Sequence, residues 1–574
     1  MSAAKRPAAA RGAATRPGRP LARERLWVAL LLAVHVALAV WGAARQSVTF
    51  DENFHLPAGV LEVAHGELRV SSVNPPLVKA LAGLAAIAAG ARVPPMSAFP
   101  TGEQGEVGQI FMHANEDRYQ RIFFAARLVT VLLSVLLALV VWRWSRRLWG
   151  ARAALVSLGF YALAPEALAH AGVMTMDVPT ALGFTASLAA WQGFVASGRW
   201  RAWAATAGTV AFTFLVRLTA LFLPPLLLVL AVVELLRRRV RSPRRLWLGY
   251  ALLAVSTFAA LQAGYLFRTT LDPIARWHFE SVAFQALQKR MPDLRIPLPD
   301  TWVGGLDRQS MESQAGRTPC YFLGNELPQA PLAYYPIALL IKWPIGFLAA
   351  LLVLAAYVVK RRPPWPRLLW PLSIVAAFVV IVVFVGRMGI GIRYLFPLVP
   401  AFSVVLGAVA SGRPGGSPKS GPSPRWRQAI VALAAVQALE ACAHAPWHLS
   451  FFNVLAGGPE RAQFIVNDSN IDWGQGLIAL REEMAKRGIR RVYLSYHGTA
   501  DPALYGIDNV PYMGGPPGHD SDWIAISSYY FVGLSQRMML HDRRTERIKL
   551  DFRPLWSRRA EATPAGCMLL FRLR

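Results

Sequence analysis

The sequence predicts a polytopic α-helical membrane protein of about eleven transmembrane helices, with a small C-terminal α/β domain outside the membrane. Of its 574 residues, 54% are hydrophobic and 16% are charged, whereas soluble domains carry about 25% charged residues. Long apolar segments alternate with short loops, and arginine-rich loops alternate with loops that hold most of the acidic residues. Together these three observations are typical of a chain that crosses a bilayer many times.

The distribution of the basic residues predicts the orientation. The formal net charge of +28 would also suit a nucleic-acid-binding protein. However, no basic soluble domain remains to do this. The excess lies before Leu26, where seven residues are basic and one is acidic, and in loops without any Asp or Glu. By the positive-inside rule these segments are cytoplasmic. The loops are 143–152, 197–201, 237–245, 360–367 and 411–427.

The apolar segments are long enough to cross the hydrocarbon core, which takes about 17 to 25 helical residues. Their order places the N-terminus in the cytoplasm and the C-terminus outside. Counting the apolar segment 76–90 as a span would put the basic loops on the wrong side, so it is predicted to be a helix on the outer surface. The predicted spans are 26–44, 121–142, 153–170, 178–196, 203–218, 219–236, 246–266, 333–359, 367–385, 394–410 and 428–446.

The chain therefore divides into three predicted parts. Residues 1–25 form a basic cytoplasmic N-terminus, and 26–446 form the transmembrane domain, with large outer loops at 45–120 and 267–332. Residues 447–574 form an extracytoplasmic α/β domain, because 474–498 has the pattern of an amphipathic helix followed by a β-branched and aromatic strand. The segments 523–527 and 567–573 are predicted as further strands.

Acidic residues lie at the outer ends of two predicted spans. Asp51 and Glu52, followed by His55, come a few residues after the first span, and Asp177 follows His170 at the end of the third. Acids at the edge of an apolar bundle are costly and are candidates for function. The alternative is that they are solvated loop carboxylates or helix N-caps, as the Asp177-Val-Pro sequence would allow.

Basic residues lie on the same predicted side. A buried lysine or arginine needs an anion or an acidic partner. Ion pairs with the acids above would satisfy each of them singly, whereas several together favour a phosphate site. The candidates for phosphate binding are Lys79, Arg127, Lys342, Arg387 and Arg393, and Arg217 lies near an outer helix turn.

A dense polar cluster follows the last predicted span. It contains Asp468, Asn470 and Asp472 beside Trp473. These residues suit the binding of sugar hydroxyls with stacking on a sugar ring, and His55 and His170 are further candidates for substrate binding. The alternative is a helix start capped by Asp472 or Ser469.

Carboxylates and phosphate-binding cations on an extracytoplasmic face indicate group transfer from a lipid phosphate. Nucleotide sugars are absent outside the cytoplasm, so a sugar would arrive on a polyprenyl phosphate. A carboxylate can accept the proton of an attacking acceptor hydroxyl, and the cations can stabilise the leaving phosphate. Two alternatives are a transporter of a lipid-linked or anionic substrate and a non-catalytic protein that binds cell-wall glycan.

Several motifs together resemble a known family over residues 26 to about 410. They are FDENFH around Asp51, NPPLVK from Asn74 to Lys79, RLVTVL from Arg127, AHAGVMTMDVP with Asp177, and GIGIRYLFPLVP with Arg393. In order and sidedness they resemble the C-type (GT-C) glycosyltransferases of the protein O-mannosyltransferase and aminoarabinose transferase group, family 39 and its relatives.

The resemblance implies a GT-C fold and an inverting, polyprenyl-phosphate-dependent transferase. It implies Asp51 as the general base, Glu52 as its support and Asp177 as the second carboxylate of the site. Asn74 replaces a His that is typical of the mannosyltransferases, so the acceptor is left open among protein, lipid and glycan.

The segments 320–344 and 450–475 resemble a bacterial branch of the family, which implies a multi-pass protein of the bacterial inner membrane. We expect the partners to be a polyprenyl-phosphate-linked sugar, an acceptor and membrane lipids. We expect no metal or other cofactor, because the basic residues suffice to neutralise one phosphate and a general base must stay free of a metal bond.

Overall fold

A computed structural model describes residues 21–314, 319–411, 424–514, 518–539 and 545–573, without the side chains of 536–539 and 545–548. The predicted basic N-terminus lies outside the described residues as far as residue 20. The predicted basic loop 411–427 lies outside them over 412–423.

The first part of the chain is helical. The shorter helices α2, α3 and α4 separate the long helices α1 and α5 and lie within the predicted outer loop 45–120, whose location outside the membrane stays a prediction. The helices are α1 (Ala22–Arg45), α2 (Glu52–His65), α3 (Pro76–Ala88), α4 (Gln104–Ala114), α5 (Tyr119–Trp149), α6 (Ala151–Ala162), α7 (Pro165–Ala171), α8 (Asp177–Ser197), α9 (Trp200–Phe214), α10 (Leu223–Leu236) and α11 (Pro243–Gly264).

The second part holds further helices and the strands. They are α12 (Val282–Arg290), α13 (Asp300–Glu312), β1 (Cys320–Phe322), β2 (Asn325–Leu327), α14 (Tyr334–Lys342), α15 (Ile345–Arg361), α16 (Trp365–Val379), α17 (Leu398–Ala410), α18 (Pro424–Ala443), α19 (Pro459–Ala462), α20 (Leu477–Lys486), β3 (Arg491–Ser495), β4 (Asp508–Pro511), β5 (Trp523–Ser527), α21 (Ser528–Phe531), β6 (Gln536–Met539), β7 (Thr545–Ile548) and β8 (Met568–Arg572). A π-helical turn, Val380–Gly386, extends α16.

The multi-pass membrane prediction is confirmed. Among the described residues, five helices are long and apolar enough to cross a membrane, and counting two bent helix pairs as single spans gives seven. Helices also occupy the other predicted spans, but they are shorter or less apolar. The figure of eleven spans stays a prediction. The five are Ala22–Arg45, Glu116–Trp149, Leu218–Leu236, Pro243–Gly264 and Trp365–Gly386.

Two predicted spans are broken rather than straight. The helices α14 and α15 meet at 112°, because the pyrrolidine ring of Pro344 removes a backbone donor and disfavours helical geometry in the residue before it. The predicted span 333–359 is thus formed by a bent helix pair, and so is the predicted span 153–170, where α6 and α7 meet at 61°. Both oxygens of Glu440 accept hydrogen bonds at the start of α15, from the backbone N–H groups of Ile345 at 3.0 Å and Gly346 at 3.1 Å.

The helices α2 and α3 pack against each other at unusually short range. A Cβ atom at Gly59 would lie 2.0 Å from the carbonyl oxygen of Lys79, and one at Gly83 would lie 2.3 Å from that of Gly59. Glycine is required because no side chain fits between the two backbones. The predicted surface helix at 76–90 is thus α3, and its partner α2 begins directly after Asp51.

The C-terminal region contains a four-stranded sheet in the order β4, β3, β5, β8. The strand β3 pairs in parallel with β4 and β5, and β8 pairs antiparallel with β5. The helix α20 and strand β3 follow the pattern predicted for 474–498. The assignment of 447–574 to a separate extracytoplasmic domain stays a prediction.

Candidate functional site

The centre of the site is an ion pair between Asp51 and Arg393. Asp51 precedes α2, and Arg393 lies in the short turn before α17. The guanidinium Nη1 donates to Oδ2 at 2.6 Å. The Asp51 side chain keeps 24% of its exposure and that of Arg393 keeps 9%, so the carboxylate is accessible while its partner is nearly enclosed.

The surroundings of Asp51 keep it ionised. Burial would raise the pKa of Asp51, but the charge and the hydrogen bond of Arg393 outweigh burial and lower it. His55 lies one helical turn further on and is itself buried, and burial lowers its pKa to about 4 despite the charge of Asp51. His55 is therefore neutral at pH 7, and its Nδ1 has no hydrogen-bond partner among the described residues.

Glu52 and Arg127 form a fully buried pair, both with 0% side-chain exposure. Arg127 donates to Glu52 at 2.8 and 2.6 Å. Its other three N–H groups donate to the carbonyl oxygens of residues 43, 46 and 47. Arg127 thus has no N–H left for a phosphate, in contrast with the contact that the sequence predicted. Glu52 also accepts from the backbone N–H of Met174 at 2.8 Å, which ties α2 to the segment before Asp177.

The two lysines are engaged in the same way. The Lys79 Nζ lies 2.5 Å from a Glu62 oxygen and donates to the Ser71 carbonyl oxygen at 2.8 Å. The Lys342 Nζ donates to the carbonyl oxygens of Leu449 at 2.9 Å and Asn470 at 2.6 Å. Both lysines are buried and neither lines the cavity at the site. Both lysines therefore serve contacts within the protein in this structure, unlike the cavity-lining position that phosphate binding would require.

A cavity of about 150 Å³ opens beside the Asp51–Arg393 pair. One end is polar and carries two arginines. The other is walled by α16, its π-helical turn and the 3₁₀ turn Leu218–Phe222 that precedes α10. The polar lining is Asp177, Thr180, Arg217, Thr219, Gln309, Ser313, Tyr335, Arg393 and Tyr394; the apolar lining includes Phe222, Phe378, Ile381, Val382, Val385 and Pro397.

Arg217 is the second arginine of the cavity, and its position there was not predicted. Its Nη1 donates to Asn74 Oδ1 at 2.9 Å, and its guanidinium lies 5.7 Å from the centre of the Tyr394 ring. The available signal was a basic residue at the outer end of an apolar span, near the Asn-Pro-Pro motif. By contrast Arg387, which directly follows the π-helical turn, is exposed and absent from the cavity lining.

Asp177 is the first residue of α8 and lines the cavity. Its Oδ2 accepts from Thr175 Oγ1 at 3.0 Å and lies 3.8 Å from His170 Nδ1. The His170 Nε2 lies 3.5 Å from Glu166. His170 is only 3% exposed, so it lies behind Asp177 rather than on the cavity wall where a substrate would touch it.

The polar cluster at 467–475 lies mostly behind the site. Asn470 Oδ1 accepts from the backbone N–H of Ile392 at 3.0 Å, and Asp472 accepts from that of Gly474 at 3.1 Å. Both residues and Trp473 are buried. Asp468 differs because it is partly exposed and interacts electrostatically with Arg393 and Asp51. Burial raises the pKa of Asp468 to about 7.

The structure thus brings together Asp51, His55, Asp177, Arg393 and Asp468, and adds Arg217. It places Glu52, Lys79, Arg127, Lys342 and Asn470 in buried contacts with other parts of the protein. The roles of all of these residues in catalysis stay predictions.

Solved structures with related features include membrane glycosyltransferases. ArnT from Cupriavidus metallidurans bound to undecaprenyl phosphate is 17% identical over 83% of this chain and 74% of its own, with a TM-score of 0.45. The apo oligosaccharyltransferase of Archaeoglobus fulgidus is 14% identical over 89% of this chain and 71% of its own, with a TM-score of 0.47. The Saccharomyces cerevisiae Pmt1–Pmt2 complex bound to the sugar donor is 17% identical over 44% of this chain and 34% of its own, with a TM-score of 0.30.

No curated protein matches the sequence. Residues 120–261, which include Arg127, Asp177 and Arg217, match the family model described as dolichyl-phosphate-mannose-protein mannosyltransferase. The resemblance that the sequence motifs indicate is therefore confirmed over residues 120–261.

Proposed function

We propose that this protein is an integral-membrane glycosyltransferase that moves a sugar from a polyprenyl-phosphate donor to an acceptor hydroxyl outside the cytoplasm. The proposed location is the bacterial inner membrane, with the N-terminus in the cytoplasm and the C-terminal region outside. The acceptor is a protein, a lipid or a glycan. Inversion at the anomeric carbon and a GT-C fold belong to the same proposal.

The observation that supports the proposal best is the two-sided cavity beside Asp51. Arg217 and Arg393 stand at its polar end, and the rest of its wall includes apolar side chains of α16, of its π-helical turn and of Phe222. A polyprenyl phosphate has the same division, with an anionic head and a hydrocarbon tail. Guanidinium groups bind phosphate by charge-assisted hydrogen bonds, and Arg393 has a buried Nε without a partner among the described residues.

In the proposed reaction, Asp51 accepts the proton of the acceptor hydroxyl as the oxygen attacks the anomeric carbon. The new carbon–oxygen bond forms as the bond to the phosphate oxygen breaks, and the electron pair leaves with the phosphate. Because attack and departure take place on opposite faces of that carbon, its configuration inverts. Arg217 and Arg393 stabilise the charge that develops on the leaving phosphate.

Arg393 then serves both sides of the reaction. In the structure its Nη1 is engaged by Asp51, and its Nε has no partner within the described part of the chain. A phosphate at this guanidinium would share the positive charge that holds the pKa of Asp51 low. The basicity of Asp51 therefore rises in the complex with the donor, which favours proton transfer at the moment when it is needed.

The test is turnover by the purified full chain with short-chain polyprenyl-phosphate sugars, measured as release of polyprenyl phosphate. We expect release to depend on the sugar and to fall in Arg217→Gln, while Arg268→Gln, an exposed arginine outside the cavity, behaves as wild type. Movement of the intact lipid between leaflets without release would contradict the proposal and favour a transporter. Binding of glycan without either activity would favour a non-catalytic role.

A further inference from the structure

One nonapeptide of the C-terminal region, residues 467–475, binds the two chain segments that carry the central ion pair. On the Asp51 side, the backbone N–H of Phe50 donates to the Trp473 carbonyl oxygen at 2.9 Å. On the Arg393 side, the N–H of Ile392 donates to Asn470 Oδ1 at 3.0 Å. Each contact is made by the residue that directly precedes the charged one, so the nonapeptide fixes the separation of the two chain segments.

The ring of Trp473 forms the floor beneath Arg393. The guanidinium carbon lies 4.2 Å from the ring centre, while Tyr394 lies against the same guanidinium at 5.2 Å. Trp473 is 2% exposed, so its ring is enclosed by protein and unavailable for stacking on a sugar. His170 packs edge-on to the ring at 6.4 Å.

The nonapeptide is itself held in place by hydrogen bonds with residues of the predicted transmembrane domain. The Lys342 Nζ donates to the Asn470 carbonyl oxygen at 2.6 Å, and Tyr334 accepts a hydrogen bond from the Asn470 side chain at 2.9 Å. Ser469 donates to the carbonyl oxygen of Ile390. The buried lysine predicted to bind phosphate thus lies one step behind the cavity and supports the residues that support Arg393.

We infer that Trp473 is a positioning residue, which holds the Arg393 guanidinium between Asp51 and the phosphate position of the cavity. Cations over an indole face are attracted to the ring, and the effect is strongest where both are desolvated. An arginine whose side chain is already restricted to fewer rotamers loses less conformational entropy when it binds an anion. The C-terminal region is therefore part of the site, although none of its aromatic rings needs to touch a substrate.

The first test does not depend on the proposed function. Thermal unfolding of the full chain in detergent is measured for Trp473→Leu, for Arg393→Met and for the double variant. We expect the decrease in Tm of the double variant to be smaller than the sum of the decreases in the two single variants, because each single change removes the same contact. Additive effects would overturn the inference. Trp149→Leu with Arg393→Met serves as the control pair and should be additive, since Trp149 ends α5 about 33 Å along that helix from Arg127, and Arg127 contacts Glu52, the neighbour of the Arg393 partner Asp51.

The second test rests on the proposed function. The probes are undecaprenyl phosphate and undecaprenol, and the readout is the ratio of their dissociation constants. We expect Trp473→Leu to weaken binding of the phosphate by about fivefold to thirtyfold while leaving binding of the alcohol unchanged. Trp473→Phe should restore most of the loss, because it keeps an aromatic face.

The outcomes separate the two proposals. If Trp473→Leu weakens the binding of both lipids equally, Trp473 has only a structural role, and the inference is overturned. A wild-type protein that does not prefer the phosphate contradicts the proposed function, and the unfolding measurements then decide the contact between Trp473 and Arg393 on their own.

Discussion

Asp51 and Glu52 are neighbours in the sequence and each contacts an arginine, but the two ion pairs are built differently. The Glu52–Arg127 pair is closed, with no exposure and with all five arginine N–H groups in use. The Asp51–Arg393 pair is open, because Asp51 is 24% exposed and the Arg393 Nε has no partner among the described residues. Residue type and sequence position are therefore the same for a closed carboxylate and an open one, and what distinguishes the two is the unused hydrogen-bonding capacity of the arginine partner.

The largest effect is expected on the open pair. Asp51→Asn keeps the size of the side chain but removes its basicity, and loss of a general base lowers rates by about a hundredfold to ten-thousandfold. We expect turnover to fall within this range while Tm stays near that of wild type. The control is Asp117→Asn, an exposed aspartate paired with Arg118 in the same predicted outer loop, which should keep full turnover. Wild-type turnover in Asp51→Asn would remove Asp51 from the mechanism.

The closed pair should respond in stability instead. Glu52→Gln leaves the buried Arg127 charge uncompensated, and breaking a buried pair costs about 3 to 5 kcal/mol. We therefore expect low yield and a clearly lower Tm in detergent. Arg127→Met in the same background should recover part of the loss, because it removes the stranded charge. If Glu52→Gln instead folded normally and lost only turnover, Glu52 would take part in the reaction as Asp51 is proposed to do. The distinction between a closed, structural pair and an open pair would then be wrong.

The third prediction concerns pH and Arg393. The charge of Arg393 helps to lower the pKa of Asp51 below its ordinary value, so the carboxylate of the wild type stays ionised and active as pH falls. Removing that charge in Arg393→Gln raises the pKa of Asp51, and activity is lost at a higher pH. We expect the acid limb of the pH profile of kcat/KM to move upward by about one pH unit or more. Arg217→Gln should move it less, because Arg217 contributes less to the pKa of Asp51.

An unmoved acid limb in Arg393→Gln would mean that the limb reports another group. Asp468 is the first alternative, because burial raises its pKa to about 7. Measuring the acid limb of the pH profile in an Asp468→Asn variant would then show which of the two carboxylates the limb reports.

The sequence predicted the positions of the helices and the acids well, for a physical reason. Apolar length and loop charge are set by the bilayer, and acids at span ends are rare enough to stand out. Asp51, Asp177 and Arg393 were therefore found from the sequence and meet in the structure, where they remain candidates.

The partners of the cations could not be predicted, because they depend on contacts between distant segments. Lys342 is 128 residues from Asn470, and Arg127 is 75 residues from Glu52. Nothing local distinguishes a lysine that meets carbonyl oxygens from one that meets a ligand. The bend at Pro344 was readable as a helix break, but its 112° angle depends on the packing of α15 against α18. Arg217 was noticed only as a basic residue near a helix end, since its cavity is formed by helices far apart in the sequence.

The smallest effect is expected from removal of metal ions. The open site holds Asp51 in an ion pair with Arg393 at 2.6 Å, and Asp177 accepts a hydrogen bond from Thr175 at 3.0 Å. Two arginines at one end of the cavity can neutralise the charge of a single leaving phosphate without an ion, and a metal bond to Asp51 would lower its basicity. We therefore expect EDTA to change turnover by less than about twofold, against the several kcal/mol that Lewis-acid catalysis supplies. The measurement is the initial rate of polyprenyl phosphate release after dialysis against EDTA, with and without added magnesium or manganese. Loss of activity that either ion restores would make Asp51 and Asp177 metal ligands, and the open pair would then be a feature of the metal-free protein alone.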